Sequence, residues 1–390
     1  MERKVPREFY REVSMSAAES KFDRTVPDEF LELFIQKEGF KNLVALAKKK
    51  GNCLDLQFRA LGNRPPHATL YLGTSKAVDI IYYASAKEVT IVPQKSASFA
   101  DAYESFAKSN RAADKAWGKK QPIEEALNIW NEGGAGTDLI EKLVEAGSPG
   151  GQAERYVNPE REGYLQAKVA KETKNFTVID RESSTSFGSE RSKKKALTAA
   201  RKPVLGALKE LRATQEPWTA SKIIKPLKPL KFGPKKPSGF GDELDALAVD
   251  SQGRILAIEV KGGYDTTGVG WTPAQVAVYK RLFEEWIASD PEAARSALTS
   301  MFKQRETLGL GGGQTLPPGK KKLVVVPMIL IGEMKSKGSV DTANARMLQV
   351  QKVLKNNGES LKGLEVWQAV SGKIKEVGMG GLKVTPQKKP

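Results

Sequence analysis

The chain has 390 residues with 63 Lys and Arg against 46 Asp and Glu, and its formal net charge of +17 favours a polyanionic partner such as nucleic acid. One cysteine, Cys53, excludes an intrachain disulfide, and one histidine, His67, excludes a His/Cys zinc site because too few ligands exist. The longest apolar run, 323–331, has nine residues and is too short to cross a membrane, so we expect a cytoplasmic chain without membrane contact.

Residues 1–150 are predicted to form an α+β module. Apolar residues at helical spacing predict helices at its beginning and end. Between them, apolar and polar residues that alternate with a period of two predict strands, which are separated by turn residues. In chain order they are a helix at 28–49, strands at 53–61, 68–75, 77–85 and 88–93, and helices at 99–119 and 122–133. Glycines between 133 and 151 mark the boundary. No catalytic constellation lies in this module, which leaves it as a candidate for binding a protein partner or a second copy of the chain.

Residues 151–390 are predicted to form a mixed sheet with helices on both faces, because strands and helices alternate here. Two helix starts have cap signals, Asn158 before Pro159 and Thr272 before Pro273. The predicted elements are a helix at 158–173, a strand at 175–180, strands at 242–250 and 254–261, a helix at 272–289, a strand at 323–331, a helix at 340–356 and a strand at 364–370.

A basic, Lys/Pro-rich insertion occupies about 183–238. Between Ser192 and Lys236 it holds thirteen Lys and Arg residues and two Glu residues, a net charge of +11. Such a segment is either a solvated linker or a surface that follows a phosphate backbone. The candidate nucleic-acid contacts are Lys193, Lys194, Lys195, Arg201, Lys202, Lys235 and Lys236.

The strand at 254–261 carries charge where an apolar residue is expected. Alternation places Glu259 and Lys261 on one face and Val260 on the other. A tight Ser-Gln-Gly turn precedes this strand, and a register that sets Asp245 beside Glu259 would bring two carboxylates and an ammonium together. Two neighbouring carboxylates repel unless a cation lies between them, and Mg²⁺ or Mn²⁺ suits oxygen ligands. A surface strand with a cross-strand Lys–Asp pair is the alternative.

This hairpin resembles the D-x(n)-E-x-K motif of the PD-(D/E)XK nuclease superfamily, with Asp245, Glu259 and Lys261 at the motif positions. Gln275 and Tyr279, four residues apart on the next helix, are similar to the Q-x-x-x-Y element of its RecB-like members. The resemblance spans about 155–370. It implies a restriction-endonuclease-like fold, with Lys261 acting on the nucleophile or transition state, and with Gln275 and Tyr279 bracing the site or touching substrate.

The resemblance also implies the remaining metal ligands. Asp245 and Glu259 would hold the metal, and the Val260 carbonyl would add an oxygen. An acidic residue from an upstream helix completes the site in the family; Glu162 fits that position best, and Glu160 and Glu210 are the alternatives.

These observations predict a Mg²⁺- or Mn²⁺-dependent nuclease that hydrolyses phosphodiester bonds of nucleic acid, with DNA favoured and RNA left open as the substrate. Two alternatives stay open at this point. One is a catalytically inactive nucleic-acid-binding or assembly protein on the same fold, and the other is an α/β interaction protein without a nucleic-acid partner. Metal binding by the acidic cluster would distinguish the nuclease from both alternatives.

Overall fold

The computed structural model describes residues 22, 24–49, 52–61, 64–94, 99–131, 134–146, 161–183, 190–213, 243–311, 322–359 and 361–385. It confirms the predicted fold class, a mixed α+β chain with two sheets and flanking helices. In the described part of the chain, no helix is both long and apolar enough to traverse a membrane.

The first sheet has five antiparallel strands in the order β1-β2-β3-β4-β5. Its strands are β1 (Leu54–Leu61), β2 (Arg64–Leu72), β3 (Ser75–Tyr83), β4 (Glu88–Pro93) and β5 (Gln121–Pro122). The helices of this region are α1 (Asp28–Gln36), α2 (Glu38–Lys48), α3 (Ala100–Ser109), α4 (Arg111–Ala116), α5 (Ile123–Asn131) and α6 (Ala135–Ala146). The single helix predicted over 28–49 is therefore two helices, which meet at the extended residue Lys37.

The second sheet has six strands in the order β11-β10-β9-β8-β7-β6. Only the pairs β8–β9 and β9–β10 are parallel, so the sheet is mixed as predicted. Its strands are β6 (Phe176–Ser183), β7 (Leu244–Asp250), β8 (Ile255–Lys261), β9 (Val325–Ile331), β10 (Glu365–Val370) and β11 (Lys373–Glu376). The accompanying helices are α7 (Glu162–Glu172), α8 (Glu190–Ala213), α9 (Thr266–Ser289), α10 (Pro291–Thr307) and α11 (Lys337–Asn356).

Helices cover both faces of this sheet. On one face Ile258 and Val260 of β8 pack with Leu165 of α7. On the other face Ala257 packs in a cluster that α8, α9 and α11 supply, which includes Val278 of α9. Because adjacent residues of β8 point to opposite faces, Glu259 lies on the side of Ala257, under α9.

One predicted helix start is wrong. Helix α9 begins at Thr266, and Asp265 caps it by accepting a hydrogen bond from the Gly268 N–H at 2.8 Å. Pro273 therefore lies inside the helix and has no N–H to donate to the carbonyl of Val269. The hydroxyl of Thr272 donates to that carbonyl at 2.7 Å instead, so this residue repairs the helix rather than capping it.

Other differences concern elements with weak local signals. Helix α7 begins at Glu162 with Arg161 at the N-cap position, and the predicted cap at Asn158 and Pro159 lies outside the described residues. Helices α6 and α10 and the short edge strand β11 were not predicted.

The two halves of the chain share their cores. Phe22 packs edge-on against Phe283 and Trp286 of α9, with ring centroids 5.4 and 5.2 Å apart, and so belongs to the core under the second sheet. Conversely, Leu308 and Leu310 lie in the core of the first. A boundary near residue 150 stays a prediction, but apolar contacts pass across it in both directions.

Candidate active site

The hairpin β7–β8 sets the register of the site. Its turn is fixed by Asp250, whose carboxylate accepts hydrogen bonds from the backbone N–H groups of Gln252 and Arg254 at 2.9 and 2.8 Å. Gly253 has a φ of 72°, a left-handed conformation that favours glycine. The pairing places Ala246 opposite Ile258, which brings Asp245 beside Glu259 and Val260.

An ammonium lies among three carboxylates at the end of this hairpin. The Lys261 Nζ is 2.6 Å from Glu259 Oε1, 3.7 Å from Glu162 Oε2 and 3.9 Å from Asp245 Oδ2. It also donates to the carbonyl oxygen of Val260 at 2.9 Å. Sequence reasoning chose these five residues, and the fold brings them together although Glu162 is about a hundred positions from Lys261 in the chain.

Each carboxylate is oriented by its own neighbours. Asp245 Oδ2 accepts a hydrogen bond from the backbone N–H of Val260 at 2.7 Å. Glu259 is only 2% exposed, and its Oε1 accepts from the side-chain amide of Gln275 at 2.5 Å. The buried Oε2 of Glu259 has no hydrogen-bond partner among the described residues. A buried carboxylate oxygen without a donor is costly, which makes Oε2 the clearest sign that the site accommodates another group.

Gln275 and Tyr279 occupy different places although they share one face of α9. Gln275 reaches the cluster through Glu259. Tyr279 is buried, and its hydroxyl donates to the carbonyl oxygen of Glu243 at the start of β7. In the structure Tyr279 thus anchors, through its hydroxyl, the strand that carries Asp245.

The electrostatics of the cluster follow from crowding and burial. Burial raises the pKa of Glu259 well above its usual range, and the charge of Asp245 raises it further. Burial also raises the pKa of Asp245, and together with Asp245 it raises the pKa of Glu162 to about 7. Burial alone would lower the pKa of the Lys261 ammonium, but the three carboxylates raise it above its usual value. In the metal-free site Lys261 is therefore a stable cation.

The donor set suits a hard divalent cation. Carboxylate oxygens and a backbone carbonyl are the ligands that Mg²⁺ and Mn²⁺ accept, and the partnerless Oε2 of Glu259 offers one directly. In the part of the chain that the structure describes, no group of three or more His, Cys, Asp or Glu side chains is arranged to hold a metal ion. In this arrangement the Lys261 ammonium offsets part of the negative charge of the three carboxylates.

A buried chain of contacts links the site to the first sheet. Gln166 lies one helical turn after Glu162, and its amide nitrogen is 3.5 Å from Glu162 Oε1. Arg181 of β6 donates to the Gln166 oxygen at 2.6 Å, to the carbonyl of Gly73 at 2.7 Å and to Asp55 Oδ2 at 3.2 Å. Sequence reasoning missed Gln166 and Arg181. The one signal in the sequence was that Gln166 lies four residues after Glu162, and therefore on the same face of the predicted helix.

The predicted nucleic-acid contacts separate into three groups. Lys194, Lys195 and Lys202 are exposed on α8, whereas Arg201 of the same helix is only 7% exposed and faces the protein interior. Arg201 is therefore poorly placed for phosphate contact. Lys193 lies in α8 with its side chain outside the description, and Lys235 and Lys236 lie outside the described residues.

The two alternatives to Glu162 are not placed near the site by any described contact. Glu160 is outside the described residues, and Glu210 lies near the end of α8 with its side chain outside the description.

Comparison of the chain with protein-family models, with curated proteins and with solved structures found no match. Functional inference therefore rests on the geometry of the site.

Proposed function

We propose that the chain is a metal-dependent nuclease of the PD-(D/E)XK type that hydrolyses phosphodiester bonds of DNA. The observation that carries this proposal is the convergence of Glu162, Asp245 and Glu259 on Lys261, from one helix and two strands. An inert surface pair would not require three partly or fully buried carboxylates around one ammonium, because such crowding destabilises a fold.

Asp245, Glu259, Glu162 and the Val260 carbonyl would hold the metal. Mg²⁺ or Mn²⁺, when bound, polarises the scissile phosphate and lowers the pKa of a coordinated water. Gln275 donates a hydrogen bond to Glu259 Oε1, and the buried Oε2, which has no hydrogen-bond partner among the described residues, would be the oxygen that binds the metal. Lys261, a stable cation, would donate a hydrogen bond to the attacking water or to the phosphate oxygen on which negative charge grows.

Charge supports nucleic acid as the substrate. The chain has a net charge of +17, and exposed Lys194, Lys195 and Lys202 form a basic surface on α8, which packs on the same side of the sheet as α9. We place the protein in a reducing compartment such as the cytoplasm, in keeping with a chain whose single cysteine, Cys53, is buried and forms no disulfide within the chain. A protein partner or a second copy as the target of the N-terminal module stays a prediction.

A cleavage assay tests the proposal. Supercoiled plasmid, linear duplex and single-stranded oligonucleotide are incubated with the full chain in Mg²⁺, Mn²⁺ or chelator. We expect cleavage with metal and none with chelator, and a loss of about a hundredfold or more in Glu259→Gln. Glu284→Gln, which alters an exposed glutamate on α9 paired with Lys280, is the control and should cleave as wild type does. Absence of metal-dependent cleavage on every substrate would refute the proposal.

One observation favours a second candidate, a non-catalytic nucleic-acid-binding protein on the same fold. The Lys261 ammonium already lies among the three carboxylates and offsets part of their negative charge without metal. Calorimetric titration with Mn²⁺ separates the two candidates. The nuclease should bind Mn²⁺ and lose affinity in Asp245→Asn, whereas the binding protein should show no heat of metal binding in either protein.

A further inference from the structure

An exposed aromatic residue lies next to the acidic cluster. Tyr264 comes three residues after Lys261, in the turn between β8 and α9. Its side chain is 56% exposed, the largest value for any large hydrophobic side chain in the described residues. Aromatic side chains bury large apolar areas in most proteins, and an exposed one beside polar groups is a feature of binding surfaces.

Arg161 lies against the ring of Tyr264. Its guanidinium carbon is 4.0 Å from the ring centroid, a close cation–π contact. Arg161 directly precedes Glu162, so this pair joins the two segments that carry Glu162 and Lys261. Within the described part of the chain, no carboxylate forms an ion pair with Arg161. Its positive charge is thus held in place by an aromatic face and is available to an anion.

The turn that carries Tyr264 is fixed by tight packing. A Cβ atom added at Gly263 would lie 2.0 Å from the backbone carbonyl oxygen of Glu333, so the backbone at this glycine is pressed against the end of β9. The Asp265 N–H donates to the Gly262 carbonyl at 3.2 Å, and the Asp265 side chain caps α9. The backbone on both sides of Tyr264 is therefore fixed three residues after Lys261.

We propose that Arg161 and Tyr264 form a subsite for an unpaired nucleotide of a single-stranded DNA substrate. The ring face opposite Arg161 stacks on the base, and the Arg161 guanidinium binds the adjoining phosphate. In a duplex both faces of a base are covered by its neighbours, so a stacking side chain selects unpaired bases, while any base offers a π-face. This inference rests on the proposed function for its substrate, and it names single-stranded DNA as the class that the site prefers.

Binding measured in chelator tests the subsite without cleavage. Fluorescence anisotropy of a labelled mixed-sequence oligonucleotide, single-stranded or as a duplex, is recorded with the full chain. Tyr264→Ala should weaken single-strand binding about 5- to 100-fold and change duplex binding less than twofold. Tyr264→Phe should bind as wild type, because it keeps the ring. Arg161→Ala should weaken single-strand binding and Arg161→Lys should restore part of it. Leu348→Ala, which alters a 46% exposed side chain on α11, is the control and should have no effect.

The outcomes separate this inference from the nuclease proposal. If single-stranded DNA binds through Tyr264 but no substrate is cleaved with metal, the subsite stands and the nuclease proposal fails. If DNA is cleaved and Tyr264→Ala binds single strands as wild type does, the subsite fails and the nuclease proposal stands. An equal loss of single-strand and duplex binding in Tyr264→Ala also overturns the subsite, as does a wild-type chain that binds no single-stranded DNA.

Discussion

Arg181 Nη1 lies 3.2 Å from Asp55 Oδ2 across the boundary between the two sheets, and neither side chain is more than 1% exposed. Arg305 Nη2 approaches the other oxygen of Asp55 at 3.6 Å. Burial alone would raise the pKa of Asp55, but Arg305 and Arg181 lower it below its usual value. A carboxylate of the first sheet is thus the shared counter-charge for two arginines of the second half of the chain.

Loss of this carboxylate should destabilise the whole chain. Asp55→Asn keeps the shape of the side chain but leaves two buried arginines without its charge, so we expect the free energy of unfolding to fall by about 3 kcal/mol. Glu124→Gln removes an exposed carboxylate that pairs with Lys37 and should cost less than about 1 kcal/mol. Urea denaturation measures both. Equal losses would mean that the buried contact contributes no more than a surface pair.

Truncation tests how far the two halves depend on each other. The fragment 151–390 includes every strand of the second sheet but lacks Phe22, which packs on Phe283 and Trp286, and lacks Asp55. We expect this fragment to lose its cooperative thermal transition or to aggregate, whereas 20–390 should melt cooperatively. A fragment 151–390 that melts as a single transition near the full-length temperature would contradict the shared core.

The hairpin part of the cluster, Asp245, Glu259 and Lys261, was predictable because its signals are local, whereas Glu162 was predicted from the family resemblance. A period-two strand, a Ser-Gln-Gly turn and the E-x-K spacing are all contained in the hairpin 243–261, and the turn sets the register. The start of α9 was not accessible in the same way. Thr272 and Pro273 give a strong cap signal, but Asp265 caps the helix instead, so the helix begins at Thr266, six residues before Thr272.

The contacts that join the two halves of the chain could not be predicted from the sequence. Arg181 reads as an ordinary residue after a short strand, and only folding brings it between Gln166 and Asp55. The same holds for Arg201, which the basic composition of its segment marked as a phosphate contact. Its position on the inward face of α8 follows from the packing of α8 against α9 and α11, which composition does not record.

The exposed lysines of α8 should determine the salt dependence of DNA binding. Changing Lys194, Lys195 and Lys202 together to Gln removes three exposed charges. If each contacts a phosphate, the slope of log affinity against log salt concentration should become shallower by about 2 to 3, because fewer counterions are released. The control removes three exposed lysines of the first half of the chain, Lys87, Lys115 and Lys119. An unchanged slope in the α8 variant, or the same change in both, would argue against this surface.

The stability of the metal-free protein should depend on pH through Glu162. Burial and Asp245 raise its pKa from 4.5 to about 7, so across that window the folded chain keeps a proton that the unfolded chain releases. Stability contributed by this group is thus present below pH 4.5 and is lost as the pH rises through about 7. Glu162→Gln removes this pH dependence. In chelator, the free energy of unfolding of the variant relative to that of wild type should therefore rise by about 1 to 2 kcal/mol between pH 5 and pH 7.5. A gain that is absent or reversed in urea denaturation at the two pH values would contradict the assignment.

Removal of the central ammonium should separate metal binding from catalysis. Lys261→Met leaves the three carboxylates without their shared cation, so the metal-free variant should be less stable by about 2 kcal/mol or more. Mn²⁺ can replace the lost charge, so the variant should bind Mn²⁺ at least as tightly as wild type and regain stability on binding, while cleavage falls about a hundredfold or more.

Lys280→Met is the matched control, since Lys280 is also 16% exposed and pairs with Glu284 at 2.6 Å on the outside of α9. Calorimetry, thermal melts with and without Mn²⁺ and a cleavage assay are run on all three proteins. Weaker Mn²⁺ binding in Lys261→Met than in wild type would show that the ammonium supports the metal site, and full cleavage would show that it has no part in the reaction.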